Sequence, residues 1–194
     1  MTGRCATSFA ARLSGRWVVL AIAMVCLVPL IAAMYFRFVS PPGRASLGGR
    51  PLEPVAFLYE AVQQMDGQPM SHLAVSDHWM IVHFESGSCA SACRDALYLT
   101  RQARTAQGRH MDRIQRIWII SDGSAPTNGL LAANPDLMLL QVRDDRVAQQ
   151  FGRLSPSMAP AIYLVDRRGF IVFRYEATVD PGVFIRELRR LVLF

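Results

Sequence analysis

Two cysteines, Cys89 and Cys93, stand four residues apart, directly after an apolar run and a Ser/Gly turn. The apolar run, residues 79–84, predicts a strand, and the residues that follow the cysteines predict a helix. If both cysteines lie in the first turns of that helix, their Cα atoms are roughly 6 Å apart, a distance that a disulfide tolerates. The spacing therefore suits either a disulfide or a shared soft metal ion.

The start of a helix is a favourable place for reactive sulfur. A thiolate there is stabilised by the unpaired backbone N–H groups and by the positive end of the helix dipole, which together raise its reactivity. Ser86 and Ser88, in the turn before the cysteines, are predicted to cap the helix. The alternative interpretation is a structural disulfide or two buried thiols with no chemical role.

The positive charge of the chain belongs to its N-terminal segment. The formal net charge is +6, and the 21 basic residues are all arginine. Five of them precede residue 50, whereas all 15 acidic residues follow it, so the part from Arg50 onward carries sixteen arginines against fifteen acids, a net charge of +1. A basic folded surface is therefore not expected, and nucleic acid is not a predicted partner.

The N-terminal segment contains a long apolar run. Residues 17–36 include no charged side chain, and as a helix they would extend roughly 30 Å, the hydrocarbon thickness of a bilayer. Trp17 and Tyr35 suit the two membrane interfaces. A cleaved signal peptide is the competing interpretation, but the apolar region is long and its small-x-small site is weak. We therefore predict a transmembrane helix at residues 17–36.

The orientation of this helix follows from weaker signals. Arginines flank it on both sides, so the positive-inside rule is close to a tie. The short basic N-terminus favours a cytoplasmic location for residues 1–16. The rest of the chain would then lie in the periplasm of a bacterium, anchored in the inner membrane. Such an oxidising compartment suits a folded part that holds one pair of cysteines, since Cys5 and Cys26 both belong to the N-terminal segment.

The remaining chain divides into a tether and one folded domain. Residues 37–54 are rich in proline and glycine and are predicted to be a linker. Residues 55–194 alternate strand and helix patterns, which predicts an α/β domain with a central mixed sheet flanked by helices. Asp66-Gly67 favours an early hairpin. Later strands are predicted at residues 114–120, 137–142, 162–165 and 170–174, and helices at residues 94–107, 130–133, 144–151 and from 180 onward.

These motifs together resemble a known family. A strand, a Cys-x3-Cys pair, a helix and the late segment at residues 163–171 are similar to the thioredoxin superfamily, and most of all to the SCO/SenC proteins. These are membrane-anchored factors that help to load copper into cytochrome c oxidase. The resemblance implies a thioredoxin-like fold, possible copper binding, and a partner that is a respiratory oxidase subunit or another copper or thiol protein.

The chain departs from the family pattern in two places. Prolines normally lie beside the cysteines, but here the intervening residues are Ala90-Ser91-Ala92. The family also has a histidine ligand five residues before the aromatic of the late strand, and that position is Met158 in this chain. The resemblance thus implies a copper site of Cys89, Cys93 and Met158, whose soft donors would suit Cu(I). Met158 is otherwise a filler of the loop or core.

A second functional interpretation rests on Pro160. Thioredoxin-like reductases place a cis-proline opposite the cysteine pair, and the Ala159–Pro160 bond is the candidate here. The domain would then be a thiol:disulfide oxidoreductase, in which Cys89 attacks a partner disulfide and Cys93 resolves the mixed disulfide. A different class of function also remains open, namely a non-catalytic assembly or scaffold protein in which the disulfide only staples the helix start.

Two further residues lie near the cysteines in the predicted fold. His83, in the strand before them, is interpreted chiefly as a packed or edge histidine, and alternatively as a base that assists a cysteine. Asp122 ends the next strand and is either a turn residue or a functional carboxylate.

Overall fold

The computed structural model describes residues 15–38, 48–155 and 159–193. The chain divides into two units, residues 1–46 and residues 47–194. In the first unit, residues Gly15–Phe38 form helix α1, with Pro29 inside it. Among the helices of the described residues, none is both long and apolar enough to cross a membrane. The predicted transmembrane span is therefore not confirmed.

The described residues of the second unit form a seven-stranded sheet and four α-helices. Its strands are β1 (Arg50–Ala56), β2 (Val62–Gln64), β3 (Trp79–Glu85), β4 (Ile114–Ile120), β5 (Leu137–Val142), β6 (Ala161–Val165) and β7 (Phe170–Glu176). Its helices are α2 (Ser91–Thr105), α3 (Asn128–Ala132), α4 (Asp145–Leu154) and α5 (Pro181–Leu193).

The sheet is mixed, with strand order β1-β7-β6-β3-β4-β5-β2. The three strands β3, β4 and β5 are parallel, and every other pairing is antiparallel. Parallel neighbours bring their carboxyl ends to the same edge of the sheet. The residues that follow β3, which include both cysteines, therefore lie beside the residues that follow β4. The predicted α/β architecture with a central mixed sheet is confirmed.

Both faces of the sheet are buried, which explains why the central strands are almost continuously apolar. Met80 and Val82 point to a core that includes Phe151 of α4. Ile81, on the opposite face of the same strand, packs with residues of α2 and α5, among them Phe184. Period-two alternation thus assigns neighbouring residues of β3 to different cores.

Several local predictions are confirmed at the level of single hydrogen bonds. The Asp144 side chain caps α4 by accepting from the Arg146 amide at 2.9 Å. The Asp180 carboxylate accepts from the Val183 amide at 2.8 Å at the start of α5. Strands β6 and β7 form the predicted hairpin. The turn at Asp66-Gly67 is also present, although β2 before it has only three residues.

The prediction of a linker over residues 37–54 is wrong for its last five residues, 50–54. Strand β1 begins at Arg50 and pairs with β7 at the edge of the sheet. Pro51 and Pro54 suggested a tether, but an edge strand tolerates proline because one side of it needs no ladder hydrogen bonds. The folded domain accordingly begins before residue 55.

Candidate functional site

Cys89 and Cys93 form a disulfide between the end of β3 and the start of α2. Their sulfur atoms are 1.99 Å apart and their Cα atoms 5.2 Å apart. Cys93 lies in the first turn of α2, whereas Cys89 precedes the N-cap residue, Ala90. Cys89 has a φ of 44°, in the left-handed region that non-glycine residues rarely adopt. The expectation that both cysteines lie inside the helix is therefore wrong, but the predicted proximity is correct.

The disulfide is buried. Cys89 is 1% exposed and Cys93 is 2% exposed. The two residues pack in a small apolar cluster with Trp118 of β4, and Leu130 of α3 contacts the same cluster. A partner sulfur or a metal ion can therefore reach the pair only after part of this cover moves.

The turn before Cys89 is held by Asp122, which lies two residues after the end of β4. The Ser86 hydroxyl donates to Asp122 Oδ2 at 2.6 Å, and the Gly87 amide donates to Oδ1 at 3.1 Å. The Ser88 hydroxyl lies 2.8 Å from that of Ser86. The predicted capping role of these serines is wrong, because the N-cap is Ala90 and no side-chain hydrogen bond caps α2.

Asp122 also binds its own turn. Oδ1 accepts from the amide and the hydroxyl of Ser124, at 3.1 and 2.7 Å. These bonds from Ser124, together with those from Ser86 and Gly87, hold the pKa of the Asp122 carboxyl well below its usual range. The carboxylate is thus charged whenever the domain is folded near neutral pH, and it accepts four hydrogen bonds from two loops.

His83 is packed inside the domain. It is 1% exposed, and its Nε2 lies 3.0 Å from the hydroxyl of Thr100 on α2. Burial, assisted by the charge of Arg116, lowers the pKa of His83 to about 3. The imidazole is therefore neutral at physiological pH. The packed interpretation is confirmed, and the hydrogen bond to Thr100 gives the ring a structural partner.

Sequence reasoning missed the polar group around Arg116, a fully buried residue in β4. Its guanidinium donates to Asp136 at 2.9 Å, to Asn134 at 3.0 Å and to the Leu97 carbonyl at 2.7 Å. An arginine in the middle of an apolar strand was the available signal, because a buried charge requires paired partners. Its side-chain partners Asn134 and Asp136 lie just before β5, too far along the chain for a local pattern to identify them.

Pro160 and Met158 are the two remaining predicted site residues. The described residues contain no cis peptide bond, so the Ala159–Pro160 bond is trans, as most X-Pro bonds are, and the cis-proline expectation is wrong. Continuing the β3–β6 register places Pro160 opposite Glu85, at the same sheet edge as the cysteines. Met158 lies outside the described residues. Within residues 15–38, 48–155 and 159–193, no three His, Cys, Asp or Glu side chains form a group that could hold a metal ion.

A cavity of about 380 Å³ adjoins the turn that leads to the cysteines. Ser86 and Glu85 lie at its wall, and the aromatic rings of Phe84, Phe151 and Tyr163 line it. Burial raises the pKa of the Glu85 carboxyl, opposed by a hydrogen bond from the Ala161 amide. The space is large enough for one or two side chains of a partner protein beside the turn that leads to the cysteines.

A protein-family model described as "Transmembrane-like, thioredoxin-like, C-terminal domain" matches residues 79–193, more than half of the chain. The chain belongs to this family. The thioredoxin-like match begins at β3 and ends in α5, and it includes both cysteines and Asp122. Among curated proteins, no match to the chain is found.

Solved structures of Sco proteins share the fold. Apo Sco1 from Thermus thermophilus is 15% identical, with a TM-score of 0.58 over 77% of this chain and 99% of that one. Yeast Sco1 with copper bound is 18% identical, with a TM-score of 0.56 over 78% and 95%. A SCO1/SenC family lipoprotein from Bacillus anthracis is 16% identical, with a TM-score of 0.50 over 73% and 97%. The resemblance to the SCO/SenC proteins is thus confirmed in the fold of the thioredoxin-like domain.

Proposed function

We propose that this chain assists the assembly of cytochrome c oxidase by thiol:disulfide exchange at Cys89 and Cys93. The observation that carries the proposal is the position of the two cysteines. They are close enough to bond, and they lie where a β-strand passes into a helix of a thioredoxin-like domain. The substrate would be a disulfide in an oxidase subunit or in another copper or thiol protein.

The exchange begins with the reduced form of this chain. The Cys89 thiolate attacks one sulfur of the partner disulfide, a mixed disulfide forms, and the other partner sulfur leaves as a thiolate. The Cys93 thiolate then attacks Cys89 Sγ. The mixed disulfide breaks, and the second partner sulfur leaves. The partner gains two electrons, and this chain ends as the disulfide that the structure contains.

Local charges support both thiolates. Cys93 lies in the first turn of α2, where unpaired backbone N–H groups stabilise a negative charge. The Arg94 guanidinium donates to the Cys89 carbonyl oxygen at 2.9 Å, which keeps a positive charge beside the loop. These contacts favour the separated thiolates that the exchange requires.

Copper delivery is the second candidate function. It is favoured by the likeness of the fold to yeast Sco1, which was solved with copper bound. Two thiolates from Cys89 and Cys93 with the thioether of Met158 make a soft donor set, and soft donors select Cu(I). The ion would be cargo, held by the reduced chain, and its binding would release the thiol protons.

One set of measurements separates these functions. The full chain with Cys5→Ser and Cys26→Ser, in detergent micelles, is titrated with Cu(I) and with Cu(II), and the reduction potential of the remaining pair is measured. Exchange predicts a potential in the range of thiol reductases. Copper delivery predicts tight Cu(I) binding that is lost in Met158→Ala. Absence of Cu(I) binding would exclude the delivery function.

A structural staple is the alternative from another class, and the burial of both sulfurs favours it. It predicts a pair that stays oxidised in strong reductant. It also predicts full oxidase activity in cells that carry only Cys89→Ser. Loss of oxidase activity in that strain, at unchanged protein level, would exclude the staple.

We place the chain at the bacterial inner membrane, with residues 17–36 as the anchor and the thioredoxin-like domain in the periplasm. Support comes from the uncharged apolar run and from the transmembrane-like description of the family. Retention in the membrane fraction after carbonate washing tests the anchor. Protease digestion of intact spheroplasts tests the orientation, since only a periplasmic domain would be cleaved.

A further inference from the structure

Residues 86–90, here called the cysteine loop, are held to the rest of the domain by hydrogen bonds as well as by the disulfide. The loop contacts the turn after β4 through one carboxylate, that of Asp122. Two of the four hydrogen bonds to this carboxylate come from Ser86 and Gly87 of the loop, and two come from Ser124. Asp122 thus joins the loop that carries Cys89 to the start of the segment that carries Leu130.

The two loops also touch through their backbones. A Cβ atom added at Gly87 would lie 2.0 Å from the carbonyl oxygen of Ser124. Only glycine permits this approach, because any other residue would place its side chain inside the neighbouring backbone. Because the backbones of Gly87 and Ser124 lie so close together, the Gly87 amide reaches the Asp122 carboxylate.

The contact lies next to a strained cysteine. Cys89, two residues after Gly87, has a φ of 44°, and such a conformation persists only where the surrounding structure enforces it. The Cys89 amide donates to the Ser86 carbonyl oxygen at 3.1 Å, and Ser86 is itself bound to Asp122. The hydrogen bonds of Asp122 therefore help to keep Cys89 turned into the apolar cluster with its sulfur covered.

We propose that Asp122 is a positioning residue that keeps the cysteine loop closed over the Cys89–Cys93 disulfide and thereby limits the rate at which a thiol can open it. This inference rests on the proposed exchange function and names a residue that regulates it. Loss of the carboxylate frees Ser86 and Gly87, the loop opens, and Cys89 Sγ becomes accessible. An incoming thiolate then bonds to Cys89, and Cys93 leaves as a thiolate.

The test uses dithiothreitol, whose two thiols supply the two electrons and leave as a cyclic disulfide. The full chain with Cys5→Ser and Cys26→Ser is prepared in detergent as wild type, Asp122→Ala, Asp122→Asn and Asp95→Asn. Asp95 is an exposed carboxylate on α2, outside the cysteine loop, so Asp95→Asn controls for the loss of one negative charge. Reduction is followed by quenched alkylation and mass measurement.

We expect Asp122→Ala to be reduced at least tenfold faster than wild type, with Asp122→Asn between the two and Asp95→Asn unchanged. The equilibrium should also move toward the dithiol by about tenfold, which is about 30 mV for two electrons. Amide exchange of Gly87 should accelerate, while the amides of α2 stay protected. This last readout separates local opening from general loss of stability.

Equal reduction rates in wild type and Asp122→Ala would overturn the proposal, as would an equal acceleration in Asp95→Asn. If Asp122→Ala fails to fold, Asp122→Asn and Ser86→Ala decide the question by the same measurements. The outcome is independent of oxidase assembly. Faster reduction of Asp122→Ala in a chain whose cysteines are dispensable in cells would support the positioning role and reject the proposed function.

Discussion

Residues 121–136, which run from the end of β4 to the start of β5, are held at their two ends by different kinds of contact. At the first end, the exposed Asp122 accepts hydrogen bonds from the cysteine loop. At the second end, Asn134 and Asp136 bind Arg116, whose side chain is fully buried. Water competes for the first contact, whereas a break in the second leaves a charge buried without its partners. We expect the second end to control stability and the first to control access to the disulfide.

The largest effect should follow from breaking the buried end. Arg116→Ala removes the donor to Asn134 and to the Leu97 carbonyl, and it leaves Asp136 only its longer contact to Arg104, at 3.5 Å. We expect it to lower the free energy of unfolding by about 3–5 kcal/mol. Urea denaturation of the oxidised chain measures this. Arg153→Ala, at an exposed position on α4, is the matched control, and we expect a change below about 0.5 kcal/mol there. A loss below about 1 kcal/mol in Arg116→Ala would contradict the assignment of stability to this end.

His83 adds a pH dependence to the same buried region. Its pKa is about 3 in the folded chain, whereas an unfolded histidine takes up a proton below about pH 6.5. The unfolded state therefore binds more protons below pH 6.5, and stability falls as the pH falls. This group contributes at most about 1.4 kcal/mol per pH unit.

Unfolding free energies at pH 7, 6, 5 and 4.5 test this contribution. His83→Gln keeps a polar group near Thr100 but removes the titration. The slope of its unfolding free energy against pH should therefore be shallower than that of wild type, by the equivalent of up to one bound proton. His72→Gln, which removes an exposed histidine, is the variant for comparison. Parallel curves for wild type and His83→Gln would show that the imidazole is not held neutral.

The disulfide should stabilise the domain less than Arg116 does. The bond closes a loop of only five residues, for which the chain-entropy model gives about 2 kcal/mol. We therefore expect Cys89→Ala with Cys93→Ala to unfold about 2 kcal/mol more easily than the oxidised chain, by urea denaturation. A loss as large as that of Arg116→Ala would favour the structural staple over the exchange function.

The smallest effect on stability should come from the exposed end. Ser124→Ala removes one of the four hydrogen bonds of Asp122 and leaves the two to the cysteine loop. We expect an unfolding free energy within about 0.5 kcal/mol of wild type, and a reduction rate between those of wild type and Asp122→Ala. A large loss of stability in this variant would erase the distinction between the two ends.

The sequence predicts the central fold well because its signals are local. The apolar runs of β3 and β4, the cap at Asp144 and the turn at residues 166–169 each occupy a few neighbouring residues. The proximity of the two cysteines is also a local signal, since a separation of four residues limits how far apart the sulfurs can be. The sequence does not predict strand β1, because its prolines, taken without the rest of the sheet, indicate a tether. Only its pairing with β7 makes it a strand.

The environment of the cysteines could not be predicted in the same way. Burial of the disulfide depends on Trp118 and Leu130, which lie more than 20 residues further along the chain. Asp122 had two open interpretations because its partners in the cysteine loop follow a different strand. Such contacts are set by the order of strands in the sheet, which a local pattern does not contain.

The edge strand β1 has a consequence for the behaviour of the protein among its neighbours. Pro51 and Pro54 have no backbone N–H, so this border of the sheet offers a broken row of donors to any extended chain that approaches it. A second molecule cannot add a regular strand there. The domain is thus protected against edge-to-edge aggregation at one border, even where many copies crowd together.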